Sequence, residues 1–497
     1  MNLFFDRVWS RMLILFTFCL LLTPNVALAA AEGASSVNFP LWTIIPFVGM
    51  LLSIAICPLV NFHWWEHNMG KVSLFWGLLF TIPSGILWGF GQAWYEFVHI
   101  MVVDYIPFMC LVTGLYVVAG SINVSGKLSC TPKANSIMLL IGTTLASIVG
   151  TTGATMLLIR PLIRANQERK MKVHTIIFLI FLVSNIGGAL TPVGDPPLFL
   201  GFLHGVPFFW TLKLIPEWLL NVGILITIYY FLDSFFYKNH LREVEAGLLE
   251  GVEVPEKEAA AEKIKINGLF NLIFLVGILS AVVLSGMLVN HPLFFDAAHN
   301  SLRGIALLNH NGHDFIWPYI NIARDLIIIL MIILSLRFTP KKIKEANKFS
   351  WMPVEEVALL FAGIFTTIVP ALKILAVRGG ELGVSTPAQF FWATGMLSGF
   401  LDNAPTYLVF SSMAAQMGAT SGVLTDMGFI SERILKAISC GAVFMGAITY
   451  IGNAPNFMTK SIAEENNIKM PSFFGYMLWS GAILIPLFIL NTVIFYR

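Results

Sequence analysis

Long apolar runs set the limits on what this chain can fold into. Stretches of spanning length lie near Leu41–Val60, Ser73–Gly91, Tyr105–Ile122, Ser136–Ile163, Val173–Leu203, Leu214–Phe236, Gly268–Val289, Ile320–Leu336, Val354–Leu375, Ala388–Met417, Ile434–Met458 and Phe473–Phe495. About 20 apolar residues cross the hydrocarbon of a bilayer as a helix. With no water there, every backbone donor and acceptor must be satisfied within the protein. The expected fold class is therefore an all-α polytopic membrane protein. Composition agrees, because only 12% of the residues are charged and 57% are hydrophobic, whereas soluble domains carry about 25% charge. The basic residues are scattered over short loops, which argues against a nucleic-acid partner. Cys19, Cys57, Cys110, Cys130 and Cys440 have no metal-ligand spacing and read as small core residues.

One run is badly suited to a continuous helix. Ser184–Leu200 reads SNIGGALTPVGDPPLFL, with three glycines, three prolines and one carboxylate, Asp195. Proline removes a backbone donor and glycine loosens a helix. Broken helix at membrane depth is tolerated only where it is buried in protein or lines a cavity. An aspartate at that depth marks a functional site by default. A second copy follows. Gly446–Phe457, GAITYIGNAPNF, aligns without gaps under Gly188–Phe199, GALTPVGDPPLF, and places Asn453 under Asp195. Upstream of each lies a further echo, with Ser147–Thr155 under Ser398–Thr406. Paired interrupted segments in the two halves of a hydrophobic chain point to a secondary transporter's binding site.

Charge counting orients the runs. Asn123–Asn135, Arg160–Lys172, Tyr237–Asn267 and Arg337–Lys348 carry clustered Lys and Arg and should face the cytoplasm. Two of these flank Ser136–Ile163, so that run must enter and return as a hairpin with its tip near Gly150–Gly153. Ala388–Met417 is expected to do the same from the other side, with its tip near Asp402–Pro405. The expectation is a pair of inverted-topology repeats, each with a re-entrant helical hairpin and a broken transmembrane helix. Lys373 and Arg378 fall on the outer face in this scheme, against the positive-inside trend.

The organisation expected is 1–30 as a signal peptide or signal anchor and 31–236 as an N-terminal transport half whose hairpin opens to the cytoplasm. A charged cytoplasmic linker, 237–267, leads to a C-terminal transport half, 268–497, whose hairpin opens to the periplasm. Arg7 and Arg11, the apolar Met12–Thr23 and Ala27-Leu28-Ala29 carry the signal reading. His310, His313 and Asp314 in the outer loop could hold a metal, but an exposed loop is the simpler reading.

The two breaks and two tips should meet near the midplane. They collect Thr151, Thr152, Thr155, Asn185, Thr191, Asp195, Asp402, Asn403, Thr406, Thr449 and Asn453. These are hard oxygen donors and suit a hard cation such as Na⁺; inward-pointing helix N-termini would instead favour an anion. With two aspartates and no lysine or arginine at either tip, a cation is the better match. Asp195 and Asp402 are the expected Na⁺ ligands, with protons competing for the same carboxylates. Arg160 lies about two helical turns from the first tip. The sequence has no HExxH, nucleophile elbow or P-loop, so enzyme chemistry is not expected. No cofactor is expected, and Na⁺ and H⁺ enter as transported or coupling ions.

At SNIGGALTPVGDPP, LDNAPT and the hairpin stretches, the chain resembles the ion transporter superfamily. That group includes NhaD-type sodium/proton antiporters, ArsB-type arsenite permeases and citrate or dicarboxylate carriers. The likeness runs over essentially the whole chain after the signal segment. It implies inverted repeats, re-entrant hairpins, elevator-like alternating access, a scaffold able to form a homodimer and a bacterial-type inner membrane. Carried over by motif, Asn185, Asp195, Asp402, Asn403 and Thr406 are the implied site positions. Dicarboxylate carriers of the group have Ser-Asn-Thr at both tips, and the tips here read Thr-Thr-Gly-Ala-Thr and Asp-Asn-Ala-Pro-Thr. GDPP likewise stands where NhaD-type proteins have GD-Val-Thr. Two functions follow: Na⁺/H⁺ antiport, or Na⁺- or H⁺-coupled carriage of citrate or a dicarboxylate.

Overall fold

The computed structural model describes residues 39–126, 130–245, 265–299, 301–310 and 313–497. The signal segment and most of the charged linker lie outside the described residues. Helices in chain order are α1 (Ile45–Val60), α2 (Phe62–Trp88), α3 (Phe90–Ile100), α4 (Ile106–Gly120), α5 (Pro132–Val149) and α6 (Thr151–Ala165). Next come α7 (Val173–Leu182), α8 (Pro196–Leu203), α9 (Ile215–Glu245), α10 (Asn271–Met287), α11 (Tyr319–Phe338) and α12 (Lys341–Ala346). The last are α13 (Met352–Arg378), α14 (Pro387–Leu401), α15 (Asn403–Ala415), α16 (Glu432–Met445), α17 (Ala454–Glu465) and α18 (Phe473–Phe495). Strands occur only as two-stranded pairs among the described residues. Nine described helices are long and apolar enough to span a membrane. The chain is an all-α multi-pass membrane protein.

The spanning helices match the apolar runs, with corrections at their starts. The second begins at Phe62 rather than Ser73, because the Asn61 side chain accepts from the Trp64 amide and caps it. The third runs from Phe90 to Gly120 through a π-helical turn at Met101–Tyr105, so Glu96 and Asp104 lie inside it rather than ahead of it. Lys373 and Arg378 each find a carboxylate. Lys373 Nζ lies 3.1 Å from Glu96 and Arg378 Nη2 lies 2.8 Å from Glu381.

The chain forms two compact units. The first contains residues up to Cys110, Ser280–Ile328 and Ser350–Ile374. Its α2 and α13 run in parallel over a small-residue face: Gly70 meets Leu359, Ser73 meets Gly363 and Gly77 meets Thr366. Small residues let membrane helices approach closely. The second unit contains Leu111–Leu279, Ile329–Phe349 and Leu375–Arg497. Each half of the sequence contributes to each unit.

The second unit holds both broken helices and both hairpins. Residues 174–189, from α7 into a 3₁₀ turn at Ile186–Leu190, are buried throughout. Extended backbone at Thr191 then leads to α8. Its counterpart passes from α16 through a 3₁₀ turn at Gly446–Ile448, with extended backbone at Thr449 and Asn453, into α17. The first hairpin turns at Gly150 (φ 78°, ψ 152°) and the second at Asp402 (φ 104°, ψ 137°). Arg169, one of the charges counted in the Arg160–Lys172 stretch, is buried. Its Nη1 lies 2.8 Å from Asp233 Oδ1, and Asn135, Asn166 and His174 join the same group. A buried charge needs this kind of full partnering.

Candidate functional site

Four helices begin within reach of one carboxylate. Asp195 occupies the N-cap position of α8, ahead of Pro196 and Pro197, and is 1% exposed. Proline at the first helical positions suits a start there and cannot continue a helix from upstream. The Asp195 side chain makes no capping bond to its own helix. Its oxygens are taken by three other segments. Thr151, first residue of α6, donates its hydroxyl to Oδ1 at 2.9 Å. Asn403, first residue of α15, donates Nδ2 to Oδ2 at 2.6 Å. Asn453, the N-cap residue of α17, donates Nδ2 to Oδ1 at 3.1 Å. The Thr151 amide bonds the Gly194 carbonyl at 2.8 Å, which ties the first tip to the first break.

The electrostatics follow from this convergence. Each helix N-terminus carries roughly half a positive charge from its unpaired amides. Four such ends lie around Asp195, which bonds neutral donors and no lysine or arginine. Among the described residues no ion pair includes Asp195 or Asp402. One acceptor is left over: Asn403 Oδ1 is buried and has no hydrogen-bond partner. A buried orphan oxygen on a residue that also touches a buried carboxylate is where a hard cation would gain ligands.

The remaining expected residues divide into groups. Asn185 donates to Asn456 Oδ1 at 2.7 Å and to the Ile180 carbonyl at 2.8 Å, and its Oδ1 accepts from Asn453 at 3.3 Å. Thr155 shares a hydrogen bond with Ser184 at 2.9 Å. Thr191 bonds the Ser147 carbonyl and Thr449 bonds the Gly399 carbonyl, so both threonines tie a break to its hairpin. Asp402 is half-buried; its Oδ1 accepts from the Ala404 amide at 3.0 Å, and Thr406 donates to its carbonyl at 2.7 Å. These two serve the first turn of α15. Thr152 is half-buried and takes no part in the network around Asp195.

Sequence reasoning passed over Asn456, Ser184, Ser147 and Thr459. Asn456 holds the second break closed by donating to the Gly446 and Thr449 carbonyls. Its place three residues after Asn453, on one face of a starting helix, was the available signal. Ser147 donates to the Gly187 carbonyl and Ser398 to the Ala442 carbonyl, securing each hairpin to its broken helix.

A multi-pass helical protein with paired interrupted helices around one buried carboxylate belongs to the class of membrane transporters. The chain is a member of the family described as "Putative citrate transport", whose model matches residues 36–496. It is also similar to an uncharacterized transporter of Mycobacterium bovis and to one of Mycobacterium tuberculosis. Each is 25% identical over 403 residues, covering 75% of this chain and 81% of the relative.

Proposed function

We propose that the protein is a secondary transporter that exchanges Na⁺ for H⁺ by alternating access, with Asp195 as the group that both ions occupy. One observation carries this reading. A fully buried carboxylate accepts from three neutral donors, has no cationic partner, and lies against an amide whose Oδ1 has no partner. Na⁺ entering there would take Asp195 and Asn403 oxygens, and a proton on Asp195 would exclude it. Asp402 has the lesser part, because it is only half-buried and its carboxylate bonds within its own helix start rather than joining the segments that meet at Asp195.

The test is collapse of a pH gradient in everted membrane vesicles on adding Na⁺, Li⁺, K⁺ or citrate in turn. The expected result is a response to Na⁺ or Li⁺ that disappears in Asp195→Asn while the variant is still inserted and folded. An undiminished response in that variant overturns the assignment.

Family membership supports a second reading, in which the same cation site couples to an organic anion. Arg160 would then be the anion's partner. Its buried Nε has no hydrogen-bond partner, and it lies nine residues along α6 from Thr151, about 14 Å. Silence with cations, gradient-driven uptake of labelled citrate, and loss of that uptake in Arg160→Gln would establish this reading instead.

A further inference from the structure

The first turns of α2 carry a feature that the transport reading does not use. His63-Trp64-Trp65-Glu66-His67 opens the helix. Residues three and four apart lie on one face, so His63, Glu66 and His67 project together. One ligand atom from each lies within 4.8 Å of the other two. Tetrahedral zinc with bonds of about 2.1 Å needs its ligands about 3.4 Å apart. Side-chain torsions alone can close that difference, because both imidazoles are exposed and Glu66 is half-buried. Among the described residues no other trio of His, Cys, Asp or Glu meets this criterion.

A second observation concerns the tautomer. His67 Nδ1 lies 2.9 Å from the His63 carbonyl oxygen. A carbonyl only accepts, so Nδ1 carries the proton and Nε2 keeps its lone pair. Metal-ligating histidines are characteristically fixed in this way, with the second nitrogen bonded to a carbonyl or carboxylate. The two rings lie 4.6 Å apart at an edge-to-face angle of 61°. The nearest basic side chain along this face, Lys71, is engaged with Asn68 Oδ1 at 3.0 Å.

We propose that His63, Glu66 and His67 form a surface site for one divalent transition ion of the Zn²⁺ class. Two imidazoles and a carboxylate suit Zn²⁺, Co²⁺ or Ni²⁺ and discriminate against Mg²⁺ and Ca²⁺, which prefer all-oxygen shells. Three protein ligands leave a coordination position for water or an added ligand. The site lies in the first unit and Asp195 in the second.

The experiment is Zn²⁺ titration of the purified full chain in detergent, read by competition with a chromogenic chelator, and by Co²⁺ absorption as an independent signature. The expected result is one Zn²⁺ per chain at micromolar concentration. Affinity should fall at least tenfold in His63→Ala and again in His67→Ala, and less in Glu66→Gln, with no competition from millimolar Mg²⁺. The His variants should keep the wild-type thermal transition without metal and the wild-type vesicle transport, which shows that they are folded. Zn²⁺ affinity unchanged in the double His variant would make the binding adventitious and overturn the proposal. So would an absence of binding up to about 100 µM.

Discussion

Asp402 holds a backbone conformation that glycine adopts freely and aspartate does not. At φ 104° and ψ 137° its Cβ is crowded by the backbone, and the matching hairpin has Gly150 at φ 78° and ψ 152°. The aspartate is retained there while its Oδ1 caps the Ala404 amide. Strain and cap are each worth about 1 kcal/mol and oppose one another. Asp402→Gly is therefore expected to leave the thermal transition in detergent almost unchanged. Asp402→Ala loses the cap and keeps the strain, and should cost about 1–2 kcal/mol. Vesicle assays on Asp402→Gly should retain a cation response, whereas Asp195→Asn should not. The same pair of residues shows where the sequence stopped being readable. Matching identical side chains set Ser147 against Ser398 and so Thr152 against Asn403. The backbone sets Gly150 against Asp402 and Thr151 against Asn403, one residue away. Glycine and aspartate share no side-chain chemistry, only a torsion angle, and that is invisible in a sequence comparison. Asp195 itself was legible because a carboxylate in an apolar run has few bland explanations.

At the scale of elements, the broken helices depend on glycines that allow two stretches of one strand of chain to touch. A Cβ on Gly194 would strike the Gly188 carbonyl, and one on Gly452 would strike the Gly446 carbonyl. These are the aligned positions of the two copies, so the sequence echo was an echo of packing. Gly194→Ala and Gly452→Ala should each lower stability by about 1–3 kcal/mol, the usual range for overpacking. Gly223→Ala in α9 is the control: nothing lies within 4 Å of its added methyl. It should be neutral or stabilising by up to about 1 kcal/mol. The Arg169–Asp233 pair is a second element-level device, joining the end of the first hairpin to α9. Positive-inside counting does not tell a solvated arginine from a buried one, so the burial of Arg169 could not be read from it. Nothing in the sequence marks the partner that Asp233 supplies from 64 residues away. Asp233→Leu would leave the guanidinium buried and unpaired and should cost about 3–5 kcal/mol, with Arg169→Leu/Asp233→Leu less destabilised than the single variant. Thermal unfolding of the three proteins measures the difference.

For the whole molecule, the question that organises the mechanism is whether the two hairpins open to opposite sides. Two sets of contacts within the second unit bear on it. At the end of the first hairpin, Arg164 Nη2 bonds the Val124 carbonyl at 2.6 Å, and the strand Asn123–Ser125 pairs with Lys265–Asn267 at the end of the charged linker. After the second hairpin, the Asp426 carboxylate bonds His204 at 2.8 Å, and its amide bonds the His204 carbonyl at 3.0 Å. Between Arg164 and His204 lies the first broken helix. Its 10-residue and 8-residue helices contribute about 27 Å of rise, close to the thickness of the hydrocarbon once the break is added. A single crossing between these two places would put the hairpins' free ends on opposite faces, and that is the topology we expect. In a cysteine-free background, Lys133→Cys and Gln167→Cys should react with an impermeant maleimide only in everted vesicles. Ser385→Cys and Gln416→Cys should react only in intact cells. Reaction of both pairs from one side would remove the inversion and, with it, the symmetry on which the proposed exchange at Asp195 depends. With the inversion in place, the site has one hairpin tip facing each way. Thr151 can then leave Asp195 without disturbing Asn403, or the reverse. In the exchange proposed here, that asymmetry of release would let a single carboxylate pick up an ion from one side and deliver it to the other.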